Sequence, residues 1–285
     1  MNELQKVELG LLKEFVDFCE KNHLKYYLSA GTCLGAIRHK GFIPWDDDID
    51  VMMPRPDYDR FLEIGQEHFS GDIFLQTWKS DPYYPYNFSK LRDSRTTYIE
   101  KTYRFTPMNH GAWIDIFPLD GCKTPKNGKR TFSIWYHSVR TWPHMWLIFP
   151  RCITRVPSWK TCITDILIDA FFYPNYIWNI NHHENKVIER IFKKYDYETH
   201  EYCINMQSGN IGKDFFPKSY LGEGKLVQFE DILARVPDNY DAYLTQLYGD
   251  YMTPPPEKKQ VGRHKHGGMD LHKSYKEYRK NYKKR

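Results

Sequence analysis

No stretch of this 285-residue chain approaches the roughly 18 uninterrupted apolar residues that a membrane-crossing helix needs. Together with a mean hydropathy of −0.70, this excludes a polytopic membrane protein. The first residues, MNELQKVELGLLKEF, carry charges where a secretion signal holds its apolar segment, so the chain is expected in the cytosol. Six cysteines, at 19, 33, 122, 152, 162 and 203, form no C-x-x-C pair, and a chain of this size needs no covalent staples. Reduced thiols are expected, without disulfides or structural zinc. There is no internal repeat. A content of 41% hydrophobic, 16% aromatic and 27% charged residues excludes a disordered or collagen-like chain and leaves a folded one with a substantial core.

One further absence is local. From Gly121 to Thr164 there is no acidic residue, whereas eight cations lie there, among them Lys123, Arg130, Arg140 and Arg155. Four of the eight tryptophans (Trp135, Trp142, Trp146 and Trp159) share this stretch. The tail from Leu271 to Arg285 adds a net +6, so with +5 overall the remainder of the chain is acidic. Such a basic, aromatic stretch suits the headgroup layer of an anionic membrane, and equally a cap subdomain whose tryptophans fill its own core. Single-stranded nucleic acid is a third partner for cations among aromatics, but no RNA- or DNA-binding motif accompanies them, and no nucleic acid is expected. The tail itself reads as a frayed helix or a disordered end.

Leu4, Val7, Leu11, Phe15 and Phe18 recur at helical spacing, predicting a helix over residues 3–21. LKYYLSAG follows as a short strand, and TCLGAIRH as a short helix with Thr32 near its start. DDIDVMM alternates charge with apolar residues, the mark of a half-buried strand. Pro54 and Pro56 open a helix to about residue 69, and IFLQTW, NFSKLRD, TTYIE and WIDIFPL are strand candidates. Residues 183–195 read as a helix with Val187, Ile188, Ile191 and Phe192 on one side. Short strands and glycine turns are expected from Tyr202 to Pro237, then a last helix near DNYDAYLTQLYG. The mixture is α+β without a regular βαβ rhythm.

The chemistry concentrates in IPWDDDIDVMM. Strand alternation projects Asp48 and Asp50 from one side, with Ile49, Val51 and Met53 toward the core. Two carboxylates side by side repel unless a cation neutralises them, and hard oxygen donors favour Mg²⁺ or Mn²⁺ over zinc. A magnesium held by one or two carboxylates fills its shell with water and substrate phosphate, which points to phosphate chemistry. In WIDIFPLD, Asp115 places a third carboxylate that completes the metal shell or takes a proton from an attacking hydroxyl. Asp46 and Asp47, ahead of the strand, read as turn or capping acids outside the metal shell. Upstream, SAGTCLGAIRH puts Gly31 where backbone can approach a ligand, Thr32 at a helix start suited to phosphate, and Arg38 on the same helix. His39, His110, Cys33, His182 and His183 have no ligand spacing or triad and read as structural.

Glycine-threonine at a helix start, D-x-D on a strand and a later strand acid follow the order of parts in the nucleotidyltransferase superfamily. The longer string YYLSAGTCLGAIRHKGFIPWDDDIDVMMPRPDYDRF closely resembles the LicD family of phosphocholine transferases, to which the catalytic region of fukutin-related protein is also similar. The resemblance continues through NFSKLRDSRTTYIE and WIDIFPLDG and returns in VQFEDILARVPDNYDAYLTQLYGDYMTPPP. It implies a nucleotidyltransferase-like mixed sheet flanked by helices. On that basis residues 1–120 are a catalytic core, 121–180 a basic aromatic insertion or cap, 181–270 the rest of the catalytic domain and 271–285 a basic tail.

The implied reaction moves a phospho-alcohol from a CDP-activated donor, CDP-choline first, to a hydroxyl of a cell-surface glycan, with CMP released. By the same resemblance Asp48 and Asp50 are the metal pair and Asp115 the later strand acid. Gly31, Thr32 and Arg38 match the segment that meets donor phosphates, with Lys90 and Arg92 as further donor contacts. Glu100 meets the donor's cationic head group or supports the site, and Arg263, His264 and His266 fall where the family ends in basic and histidine residues, or else form a solvated tail. The glycan acceptor in bacterial members is often carried on lipid, which gives the basic stretch a use as a peripheral contact at the inner membrane face. Two rivals remain open: a D-x-D metal-dependent glycosyltransferase, and a non-catalytic glycan-assembly protein of the same fold.

Overall fold

The computed structural model describes residues 1–103, 106–124, 180–208, 213–262, 264 and 266–282. Residues 125–179, Arg263 and the tail end 283–285 lie outside the described residues, and with them nearly all of the expected insertion.

Helix α1 (Glu3–Lys21) matches the helix expected from the apolar spacing. Asn2 caps it reciprocally: its side chain accepts from the Gln5 N–H at 2.8 Å, and the Gln5 side chain accepts from the Asn2 N–H at 2.9 Å. Phe15 and Phe18 meet Phe61 of the helix at Arg55–His68 edge-on, with centroids 5.4 and 5.8 Å apart. After β1 (Tyr27–Leu28) comes α2 (Ala30–His39), then β2 (Asp50–Pro54) and α3, the helix at Arg55–His68. β3 (Ile73–Gln76), β4 (Ser89–Asp93), β5 (Thr97–Glu100) and the eleven-residue β6 (Ala112–Cys122) follow. Their order in the main sheet is β1-β2-β6-β4-β3. β2 and β6 run parallel and the other pairs antiparallel, giving the mixed sheet of a nucleotidyltransferase-like α+β fold.

Beyond residue 179, α4 (Ile180–Phe192) precedes β7 (Tyr202–Ile204) and β8 (Phe215–Pro217), which lengthen the sheet on the far end of β6. β9 (Lys225–Phe229) and β10 (Ile232–Val236) form a hairpin, followed by α5 (Tyr240–Tyr248). β11 (His266–Asp270) pairs with β5, and α6 (Tyr275–Tyr282) follows.

Several local expectations are revised. Both faces of β2 are covered by the core, so Met52 is as buried as Val51 and Met53 and the half-buried alternation is absent. α4 begins three residues before the expected helix and ends three before it, and Val187 faces outward while Ile188 and Phe192 are buried. α5 is not the last helix, because the tail carries α6 behind β11. Cys19, Cys33, Cys122 and Cys203 are buried free thiols, and Cys152 and Cys162 lie outside the described residues.

Candidate active site

The site is a row of side chains across three neighbouring strands. Asp50 of β2 stands opposite Asp115 of β6, and Asp115 stands opposite Lys90 of β4. Cross-strand partners project from the same face, so the register aligns two carboxylates and one ammonium. The backbone fixes this register at Asp50 from both sides. Its N–H donates to the Thr32 hydroxyl at 2.8 Å, its carbonyl accepts from the Ser29 N–H at 2.9 Å, and the Asp115 N–H donates to the Ile49 carbonyl at 2.8 Å.

Around this row lies a cleft of about 730 Å³. Of the residues expected from sequence, Gly31, Arg38, Asp48, Asp50, Lys90, Glu100, Asp115 and His264 line it. Thr32, Arg92 and His266 are not in its walls. Thr32 is the third residue of α2, in its first turn, and its hydroxyl accepts from the Asp50 N–H. Arg92 is wholly buried and donates to the Gln76 side chain, to the Gly111 carbonyl at 2.6 Å and to Glu100 at 3.1 Å. His266 is exposed on β11, opposite Glu100 in register and against the Tyr98 ring at 5.5 Å. Gly31 also differs from expectation in its neighbour, since a Cβ there would come within 2.9 Å of Asp46 Oδ2. The tight turn from β1 into α2 falls on Ala30, whose φ of +42° is rare outside glycine and asparagine and whose N–H donates to the Tyr243 hydroxyl at 3.1 Å.

The acids are crowded. Burial raises the Asp50 carboxyl well above its ordinary range, and the charges of Asp48 and Asp115 push it further. Asp48 is raised by burial too, against the opposing pull of His264. Glu8 on α1 is 2% exposed and is raised well above the usual range by burial, then by Asp48, Asp47 and Asp46. Burial alone would raise Glu100, but Lys90 and Arg92 outweigh it and hold that carboxyl low. Glu100 is thus already met by two internal cations, 3.7 Å from Lys90 and 3.1 Å from Arg92.

His264 arrives from the far end of the chain. Asp47 receives its backbone N–H at 3.0 Å and its ring Nδ1 at 3.2 Å, and the same nitrogen lies 3.7 Å from Asp48 Oδ2. Burial opposes its protonation, yet the Asp47 hydrogen bond and the Asp48 charge raise it to about 9. Asp47, Asp48 and His264 offer donor atoms within 4.8 Å of one another, a cluster able to hold a metal ion. Asp47, read from sequence as a turn acid, therefore stands beside the D-x-D pair, and Asp46 lines the cleft. Glu8 went unnoticed as well, although its helical position between Leu4 and Leu11 put a charge inside the apolar stripe of α1.

The Thr32 contact gives a direct expectation. Thr32→Val leaves a buried Asp50 N–H without its acceptor and should cost about 1–3 kcal/mol in urea unfolding, while Thr32→Ser, which keeps the hydroxyl, loses much less.

Comparison with known proteins gives the family. The family described as LicD/FKTN/FKRP, nucleotidyltransferase domain, matches residues 23–157. The chain is 32% identical over 276 residues to lipopolysaccharide cholinephosphotransferase LicD of Haemophilus influenzae, spanning 93% of this chain and 96% of that protein. It is also 43% identical over 54 residues to an uncharacterised protein of Rickettsia typhi, spanning 19% of this chain and 18% of that protein.

Proposed function

This chain belongs to the LicD family, and from that premise we propose that it transfers phosphocholine from CDP-choline to a hydroxyl of a cell-surface glycan, releasing CMP. The observation that carries the chemistry is the acid row Asp50–Asp115 with Asp48 beside it in one cleft. The choice of choline follows the name of the Haemophilus influenzae relative, with which this chain aligns over nearly its whole length.

The residues fit a divalent cation. Among the described residues Asp46, Asp47, Asp48, Asp50, Asp115 and Glu8 gather here, and Asp48 and Asp50 are raised first by burial and then by neighbouring carboxylates. Asp48 and Asp50 would hold Mg²⁺ or Mn²⁺, with Asp115 beside them left to take a proton, and the oxygen-rich set suits a hard ion. When bound, such an ion supplies positive charge against the donor diphosphate. Arg38 lines the cleft with its guanidinium anchored on the Tyr251 carbonyl at 2.6 Å, a fixed cation for a donor phosphate. Asp115 accepts the proton of the acceptor hydroxyl. The hydroxyl oxygen then forms its bond to the distal phosphorus as the bond to the CMP oxygen breaks in line. No enzyme-linked intermediate is required. Gly31 leaves room for the backbone of α2 beside Asp46, and His264 with Asp47 closes the outer side of the acid group.

For location, we infer a cytosolic protein that meets the inner membrane face through its basic stretch, as suits a lipid-carried acceptor. Among the described residues no helix is long and apolar enough to cross a membrane. Vesicle flotation should show binding to anionic vesicles only, and equal binding to neutral ones would remove this inference.

The test of function is CMP release by the purified chain with Mg²⁺ or Mn²⁺ and a panel of CDP-choline, CDP-ribitol and CDP-glycerol, each with lipopolysaccharide acceptor. CDP-choline should be turned over fastest. Silence with every CDP-alcohol, or release of UDP or GDP from a sugar nucleotide instead, would overturn the reading.

A further inference from the structure

Lys90 has no part in the steps above, yet it is a nearly buried charge beside them. Its side chain is 2% exposed. The ammonium lies 3.0 Å from Asp115 Oδ1 and 3.7 Å from Glu100 Oε1. Aromatic rings stand around the same ammonium, with the Trp113 centroid at 3.9 Å, Phe88 at 5.6 Å and Tyr86 at 5.7 Å. A lysine that binds a donor phosphate keeps part of its ammonium turned to the ligand. This one is held between carboxylates and ring faces that offset its lost hydration.

The register explains why Lys90 bears on Asp115 in particular. The two residues are direct cross-strand partners on adjacent central strands, and Trp113, two residues before Asp115 on the same face of β6, is the nearest of those rings. Neither strand can shift without moving the other residue.

We propose that Lys90 is a positioning residue that acts through Asp115: the charge of the ammonium, in ion-pair contact with Oδ1, orients the carboxylate and presents its other oxygen to the acceptor hydroxyl. The role rests on the transferase reading above and deepens it. It replaces a direct contact between Lys90 and the donor.

The test compares wild type, Lys90→Met, Asp115→Asn and the double variant in CMP release from CDP-choline with acceptor. Met has nearly the length of Lys and suits the aromatic rings without a charge. Lys90→Met should lower kcat about 100-fold while the donor KM stays within about threefold, the signature of an effect on the chemical step. The double variant should be as slow as Asp115→Asn and no slower, because Lys90 has nothing left to position. Lys90→Met strands a buried carboxylate and is the variant most at risk of misfolding. The double variant removes both charges and is relieved of that penalty, so its comparison with Asp115→Asn decides the matter alone. A further tenfold loss in the double variant, or a raised donor KM with kcat intact in Lys90→Met, would overturn the role and return Lys90 to the donor phosphates. A wild-type chain that releases no CMP overturns the transferase reading itself, and this role with it.

Discussion

Asp50→Asn should abolish CMP release by at least about 1,000-fold and, in the same protein without metal, raise the melting temperature by a few degrees. Both effects have one cause. Asp50 is pressed by burial and by the charges of Asp48 and Asp115, which raise its carboxyl well above the ordinary range. A carboxyl raised on folding binds its proton more tightly in the folded chain than in the unfolded one. Its ionisation therefore removes stability as pH rises above the unfolded value of 3.8 toward the folded one. An amide has the same shape and no charge to desolvate, so it relieves the repulsion and takes away the metal site together. Asp48→Asn should act in the same direction with a smaller gain in stability, because His264 already offsets part of that charge. Adding Mn²⁺ should raise the melting temperature of wild type and leave Asp50→Asn nearly unmoved, since an ion that binds only the folded site stabilises it by mass action. Thermal unfolding with and without metal, beside a CMP assay, measures all of this. A substitution that lowers activity and stability together would mean that Asp50 is a structural acid and not a ligand.

The second large effect lies away from the cleft. Arg55 at the start of α3 donates to Asp120 of β6 through Nε and Nη2, both at 2.7 Å, and the two side chains are 9% and 2% exposed. This fork ties α3 to the same strand that carries Asp115, with Asp59 a weaker third partner at 3.4 Å. Removing one partner strands a buried charge. Asp120→Ala should destabilise the protein by about 3–5 kcal/mol, a larger loss than Thr32→Val produces. Arg55→Met with Asp120→Leu should recover most of that loss, because two apolar groups of similar volume need no counter-charge. Urea unfolding of the single and double variants checks the order. Activity in the double variant should persist where the fold persists, since neither residue lines the cleft.

The acidic strand, the glycine-bearing helix before it and the later strand acid were legible because their signals are local. Leu4, Leu11, Phe15 and Phe18 specify α1 by period, and the charges of Asp50 and Asp115 stand out in otherwise apolar strands. Local signals also misled. Alternation in β2 suggested one solvated face, but the core covers both faces of that strand and Met52 is buried as well. Thr32 looked like a phosphate contact because it follows a glycine at a helix start. In the fold it does lie in the first turn of α2, and there its hydroxyl accepts from the Asp50 N–H. The tail, read as a frayed helix or a disordered end, carries α6, whereas the pairing of β11 with β5 ahead of it left no local signal.

By itself, then, the sequence determined most of the elements and the acidic centre. Periodicity and charge are properties of neighbouring residues, and they survive without knowledge of what packs against them. Only the tertiary structure decided the partners: Lys90 against Asp115, His264 brought 217 positions to Asp47, Glu8 buried behind the acids, and Glu100 already neutralised by Lys90 and Arg92. Those pairings depend on strand register and on which distant segments share a face. A chain's local pattern leaves register open until the whole sheet closes.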